Sequence, residues 1–281
     1  MAPAATTPAG AILSALGLRK HLRFPQLRSR NLLDRGVCEV CGATTEFHFQ
    51  NIVPEQMAET AGFTAPIREA WDRRESMSCL NCHTNYRGRQ IARAILKDYG
   101  QANHASLGDL AGQETFRRLE ILVLNDNLFH PVLGRHPACE FSDYIISLVP
   151  AMGRLDNAIR RPDASVDLIL SSDAIEHTPA YVHALQEMQR VLKPGGAWIA
   201  CLPLLPERRT RTRAVTDQDG NIVSLLPPSY HCRDETDSLV FVEFGSDFVA
   251  RIESVGLKVE VYFYSLLSYD YSSVFVCRKQ G

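Results

Sequence analysis

Asp167-Leu168-Ile169-Leu170-Ser171-Ser172-Asp173-Ala174-Ile175-Glu176-His177, followed by Glu187-Met188-Gln189-Arg190-Val191-Leu192-Lys193-Pro194-Gly195-Gly196, is the stretch that decides the fold. Val166 to Ser171 reads as a short apolar strand. Tyr181 to Leu192 places Val182, Leu185, Met188 and Leu192 at helical spacing, and Pro194-Gly195-Gly196 stops that helix before a second strand, Ala197 to Leu202. Strand, helix and strand in that order predict a parallel α/β unit.

Working outward, the same alternation runs from Leu119 to the end of the chain. Further strands are predicted at Leu119 to Leu124, Ala138 to Ser142, Lys258 to Tyr264 and Ser273 to Cys277, with a helix from Asp247 to Val255 closed by Gly256. Only about a dozen residues separate the first two strands, so the helix between them must be short. Upstream, Arg89 to Tyr99 reads as a helix with Ile91, Ile95 and Leu96 on one face. Ile12 to Phe24 also has a helical pattern, behind an amino terminus of small residues and Pro that buries little. The organisation predicted is an arm over residues 1–30, a metal-held module over 31–92, a linking helix over 93–118 and an α/β domain over 119–281.

That module holds two identical pairs, Cys38-Glu39-Val40-Cys41 and Cys79-Leu80-Asn81-Cys82, 37 residues apart. Each turn aims two sulfurs at one ion, and two turns complete a closed tetrahedral site of four thiolates, which points to structural zinc. His48 and His83 stand nearby as alternative ligands, but four thiolates suffice. A closed site leaves no position for substrate, so it is scaffold. Residues 31–92 carry six arginines against eight acids, and a net −2 module is a poor phosphate clamp.

Composition sets the outer bounds. The 281 residues are 45% hydrophobic and 22% charged with a net charge of −2, so there is apolar material for a core and no global field toward nucleic acid or an anionic membrane. No apolar run approaches the roughly 18 residues of a spanning helix. Eight cysteines, four of them in C-x-x-C pairs, favour a reducing, cytoplasmic compartment over a disulfide scaffold. The basic residues Arg19, Lys20, Arg23, Arg28 and Arg30 precede any acid and faintly imitate a transit peptide.

The opening stretch resembles the fourth strand, following helix and fifth-strand entry of class I S-adenosylmethionine-dependent methyltransferases. Thr212-Arg213-Ala214, Asp219-Gly220, Pro227-Pro228-Ser229-Tyr230-His231 and Phe244-Gly245-Ser246-Asp247 resemble a subgroup of bacterial small-molecule and sugar methyltransferases that often carry an amino-terminal zinc ribbon. The resemblance covers roughly residues 31–281. It implies an α/β, Rossmann-like sheet with S-adenosylmethionine as cofactor and a small molecule, a sugar or secondary-metabolite intermediate, as acceptor.

In an open α/β sheet, ligands bind outside the carboxyl ends of the strands near the switch point. That gathers Asn125, Asn127, Asp143, Ser171, Ser172 and Asp173 around one crevice. Asp143 follows strand two, where a carboxylate can hold both ribose hydroxyls, and Asp156, or Asn157 beside it, falls where the family contacts adenine. The first strand departs from the family, for Val123-Leu124-Asn125-Asp126-Asn127 puts Asn at both usual Gly positions. Asn is the non-glycine residue that best tolerates positive φ, so the turn can survive.

A hydroxyl acceptor must lose a proton, and His is the natural base near neutrality. His231, beside Tyr230 on the long insertion that begins at Pro203, is the expected base, and His177 is the second candidate or an orienting group. Arg208, Arg209, Arg211 and Arg213 form the one dense basic cluster, which predicts an anionic acceptor with Arg213 its contact. Three rival readings remain: non-methyl chemistry on the same cofactor (aminocarboxypropyl transfer or cyclisation), an RNA methyltransferase, and a non-catalytic binding protein. Nucleic acid and membrane are not expected partners.

Overall fold

The computed structural model describes residues 22–23, 35–101, 104–125, 128–144, 158–205, 208–230, 239–262 and 273–281. The amino-terminal part holds β1 (Leu22–Arg23), β2 (Arg35–Val37), β3 (Thr44–His48), α1 (Glu55–Ala61), α2 (Ala65–Glu75), β4 (Ser78–Cys79), α3 (Tyr86–Tyr99), α4 (Leu107–Ala111) and α5 (Glu114–Arg117). Then come β5 (Ile121–Leu124), α6 (His130–Leu133), β6 (Cys139–Ser142), β7 (Val166–Ser172), α7 (Tyr181–Val191), β8 (Leu192–Cys201), β9 (Leu204–Leu205), β10 (Arg211–Thr212), β11 (Ala214–Thr216) and β12 (Ile222–Ser224). The chain closes with β13 (Val242–Gly245), α8 (Phe248–Ser254), β14 (Leu257–Tyr262) and β15 (Val274–Lys279). Among the described residues no helix is long and apolar enough to cross a membrane.

Among the described residues seven strands form the central sheet, in the order β1-β14-β15-β8-β7-β5-β6. β6, β5, β7 and β8 run parallel, whereas β15 is antiparallel to both β8 and β14. Side chains alternate between two apolar cores. Leu122, Leu124, Ile169, Trp198, Ala200, Phe275 and Cys277 pack with α7 and α8. Ile121, Val123, Leu168, Leu170, Ala197, Ile199, Val274 and Val276 join α3, α4 and the cysteine-bearing segment on the other face. Both faces are covered, which is why the strands read as continuous apolar runs rather than as alternating ones. Each fully buried side chain of this kind contributes roughly 1.5–3 kcal/mol.

The six strands expected from the sequence are present with ends shifted by a few residues. β8 starts earlier than expected because Pro194-Gly195-Gly196 continues it: Gly195 takes φ +81°, and the register against β7 shifts between Val166 and Leu168. The connection from β5 to β6 holds one short helix, α6, as the spacing demanded. α7 turns Tyr181, Ala184, Leu185, Met188 and Val191 inward, while Val182, expected on that face, is 44% exposed. The helix predicted over Ile12 to Phe24 is corrected where it is described: Leu22 and Arg23 are a strand, paired in parallel with Val261 and Tyr262. An edge strand of the sheet was available to pair with, and a helical pattern in sequence cannot register that.

α3 begins at Asn85, whose side chain accepts the Gly88 N–H at 3.1 Å as an N-cap, so it starts earlier than the sequence suggested. It lies across β8 and β15, with Ile91 and Ile95 fully buried. The cysteine-bearing segment therefore shares its core with the sheet.

Candidate functional site

The four cysteines meet as their spacing predicted. β2, β3 and β4 form a small antiparallel sheet that delivers both pairs, and the four Sγ atoms all lie within 4.8 Å of one another. Sγ of Cys38 is 3.7 Å from that of Cys82, and Sγ of Cys41 is 3.7 Å from that of Cys79. Zinc bonded to four thiolates at about 2.3 Å in a tetrahedron requires sulfur separations of about 3.8 Å. The geometry fits a closed centre. The N–H groups of Asn81 and Cys82 point at Cys79 Sγ at 3.4 and 3.5 Å, and Gly42 turns the first knuckle at φ +77°. His48 is hydrogen-bonded to Gln50 instead.

The carboxyl ends of β5, β6 and β7 lie side by side in the sheet, with β5 in the middle. Asn125 takes φ +51°, the left-handed conformation anticipated for it, and its N–H donates to the Ser142 carbonyl at 2.8 Å. That bond ties the first turn to the end of β6, where Asp143 is exposed. After β7 the two serines part. Ser171 is fully buried and its Oγ accepts the Trp198 indole N–H at 2.8 Å, so it belongs to the core. Ser172 is also buried, but its Oγ has no hydrogen-bond partner among the described residues. An orphaned hydroxyl at the end of β7, with an exposed carboxylate after β6 on the far side of β5, suits a polar ligand. Asn127, Asp156, Asn157 and His231 lie outside the described residues.

Asp173, expected to face a cofactor, is engaged by the protein. It sits at φ +45° with its N–H on the Cys201 carbonyl at 3.0 Å. Both terminal nitrogens of Arg74 fork onto its carboxylate, one at 2.5 Å, and Arg87 Nη1 joins them. Arg74 is fully buried, stacked over the Trp71 ring at 4.9 Å and also paired with Glu75. Burial opposes its charge, but Asp173 and Glu75 outweigh that and raise its pKa well above the ordinary value. Nothing in the local sequence links residue 74 to residue 173, so the arrangement was missed.

Ile175–His177 forms a 3-10 turn just beyond. Glu176 is fully buried; burial, and then the Asp173 charge, lift its carboxyl well above the usual carboxylate range. His177 Nδ1 donates to the Leu239 carbonyl at 3.0 Å, an assignment fixed by the carbonyl being an acceptor only. Nε2 stands 3.6 Å from Glu176 Oε1. The insertion folds back over this turn: Phe241 N–H donates to the Glu176 carbonyl at 2.8 Å, and Tyr230 bridges Leu239. Tyr230 and His177 thus share a neighbour.

The arginine cluster pairs with carboxylates of its own chain, and Arg213 alone of the four is buried. Arg208, Arg211 and Arg213 converge on Glu243, and Arg209 and Arg251 reach Asp247. Arg213, the expected acceptor contact, is 4% exposed; Nη1 donates to Glu243 at 2.6 Å and Nη2 to the Pro227 carbonyl. Its two terminal nitrogens hold the insertion together rather than standing open.

A protein-family profile described as "Methyltransferase domain" matches residues 149–200, the region from β6 to β8. No curated protein matches the chain. Among solved structures, an S-adenosylmethionine-dependent methyltransferase from Mesorhizobium loti is 13% identical, covering 57% of this chain and 91% of that one at TM-score 0.35. A putative methyltransferase from Listeria monocytogenes (11% identity, 58% and 81% covered, TM-score 0.33) and the [4+2]-cyclase SpnF (13%, 58% and 75%, TM-score 0.31) are also similar. The mixed sheet, with its reversed β15 between β14 and β8, matches the Rossmann-like methyltransferase fold.

Proposed function

We propose that the protein is a class I S-adenosylmethionine-dependent methyltransferase with a structural zinc centre, acting on a small molecule such as a sugar or a secondary-metabolite intermediate. The observation that carries the reading is the set of polar groups at these strand ends. A left-handed Asn125, an exposed Asp143 and the orphaned Ser172 hydroxyl converge at the carboxyl ends of three adjacent parallel strands. The family profile covers the third of these strands.

The bound cofactor would supply an electrophilic sulfonium methyl. Asp143 accepts the two ribose hydroxyls, the Asn125 turn brings backbone close to the amino-acid portion, and Ser172 offers a hydroxyl to the same pocket. Asp156 is assigned to the adenine. Cys38, Cys41, Cys79 and Cys82 fill the zinc shell and leave it no catalytic position. His231 is the base that removes the acceptor's proton, and Tyr230 helps place the acceptor. His177, with Nδ1 held by Leu239, orients the methyl-transfer geometry through Nε2. Because Arg213 is committed to Glu243, the acceptor need not be anionic.

Calorimetry with S-adenosylhomocysteine, followed by chromatography of the spent cofactor, tests the reading. Binding together with S-adenosylhomocysteine as product supports it, methylthioadenosine as product would assign the non-methyl chemistry, and absence of binding would leave a binding protein. His231→Ala should lower turnover by about 10² to 10⁴ while leaving cofactor affinity nearly intact. Normal turnover with poor acceptor binding would make His177 the leading base.

A further inference from the structure

The cysteine-bearing segment touches residues that follow β5 and β7. From the second knuckle, Thr84 Oγ1 stands 3.4 Å from Cys82 Sγ and donates to the Leu128 carbonyl at 3.1 Å. Leu128 lies three residues beyond Asn125 in the chain. Gly88 permits the approach, since a Cβ there would lie 2.5 Å from Thr84 Cγ2 and 3.2 Å from Leu128 Cδ1. One turn of α3 away from Thr84, Arg87 reaches Asp173 at the end of β7, and Arg74 from α2 grips the same carboxylate from the buried side. Asp173 is held in a left-handed conformation at a position where the chain must leave the sheet. Two guanidinium groups and the Cys201 carbonyl fix that conformation.

We propose that Thr84, Arg74 and Arg87 are positioning residues for the donor site, locking the turns after β5 and β7 so that the cysteine module and the donor site form one unit. This rests on the methyl-donor reading of those strand ends. The three residues touch no reacting atom. They act through Leu128 and Asp173, and they make donor affinity depend on a segment distant in sequence from the strand ends.

Arg89 provides the internal contrast. It lies on the same helix, is more deeply buried, pairs with Glu39 at 2.7 Å and packs 3.4 Å over the Phe47 ring, and among the described residues none of its hydrogen bonds or ion pairs reaches Leu128 or Asp173. Arg87→Gln and Arg89→Gln, made in the full chain, should therefore separate positioning from scaffolding. In Arg87→Gln, S-adenosylhomocysteine affinity should fall about tenfold or more, with KM for the donor rising more than kcat falls, and Arg87→Lys should recover part of the loss. Amide exchange at Asn125 and Asp173 should quicken in Arg87→Gln whether or not any cofactor is present. Arg89→Gln should lower the denaturation midpoint and leave donor affinity and those two amides at wild-type values. Thr84→Val, which keeps the side-chain volume, should quicken exchange at Asn125 and so reads the coupling even if Arg87→Gln folds poorly. Equal effects of Arg87→Gln and Arg89→Gln, or unchanged exchange at both amides, would overturn the proposal. If the wild type binds no S-adenosylhomocysteine but the amides respond as expected, the donor reading fails while the mechanical coupling stands.

Discussion

Arg213→Met removes a guanidinium that the sequence assigned to an acceptor and the structure assigns to Glu243. The side chain is 4% exposed and makes one charge-assisted bond to Glu243 Oε1 at 2.6 Å and a second to the Pro227 carbonyl. Methionine keeps most of the packing, so the loss is in those two bonds. Deleting one partner of an isolated buried pair costs about 3–5 kcal/mol because a naked charge remains. Here Arg208 and Arg211 still face Glu243, and it stays below its ordinary pKa only because arginine bonds and charges outweigh burial. The smaller figure for lost hydrogen bonds to charged groups applies, about 1.5–3 kcal/mol. Urea denaturation followed by tryptophan fluorescence measures it, since Trp198 is buried on β8 in the core and Trp71 lies in the amino-terminal segment. The double-mutant cycle with Glu243→Gln should return a coupling of roughly 0.5–3 kcal/mol. If Arg213→Met unfolds at the wild-type midpoint and instead raises the acceptor KM, the inward assignment is wrong and the sequence expectation was right.

Purified protein should carry about one zinc per chain, and Cys41→Ser or Cys82→Ser should lose both the metal and cooperative unfolding of the amino-terminal part; a metal-free, fully folded preparation would end that assignment. Asp143→Ala should weaken S-adenosylhomocysteine binding roughly ten- to a hundredfold with little change in stability, because the residue is exposed; unchanged affinity by calorimetry would place the ribose elsewhere. The Asp247 carboxyl, despite burial, is held at about 2 by the N–H and hydroxyl of Thr210 and by Arg251. A folded value below the unfolded one means that its bonds contribute fully above about pH 4 and are lost as the pH falls toward 2. Wild-type stability should therefore decline more steeply than that of Asp247→Asn across that window, and parallel acid titrations would refute the link.

What the sequence revealed depended on the range of the signal. Strands buried on both faces announce themselves as apolar runs, so β5, β7 and β15 were legible; β14 showed the alternation of a half-exposed strand, and two C-x-x-C pairs encode their own convergence. Asn125 was legible as a left-handed residue because the tolerance belongs to that residue type. The Arg208–Arg213 run looked like an open basic patch because Glu243, its counter-charge, lies 30 residues beyond Arg213. Arg74 and Asp173 are 99 residues apart, and no local pattern pairs an arginine with one carboxylate among many. Leu22 and Arg23 fit a helical period yet pair as strand, since hydrogen-bonding partners outrank periodicity when a sheet edge lies open.

That short pairing has a bearing on solubility. β14 would otherwise be an outer strand of the sheet with a row of unsatisfied amides and carbonyls, the usual template for unwanted association between copies. Its first half carries Lys258, exposed, and Glu260, partly exposed, charges that a second chain would have to desolvate. Its second half, Val261 and Tyr262, is apolar and buried, and it is these two residues that the arm covers. The rim is thus guarded by charge along one stretch and by its own chain along the next, so removing the arm uncovers the stretch that has no charge to defend it.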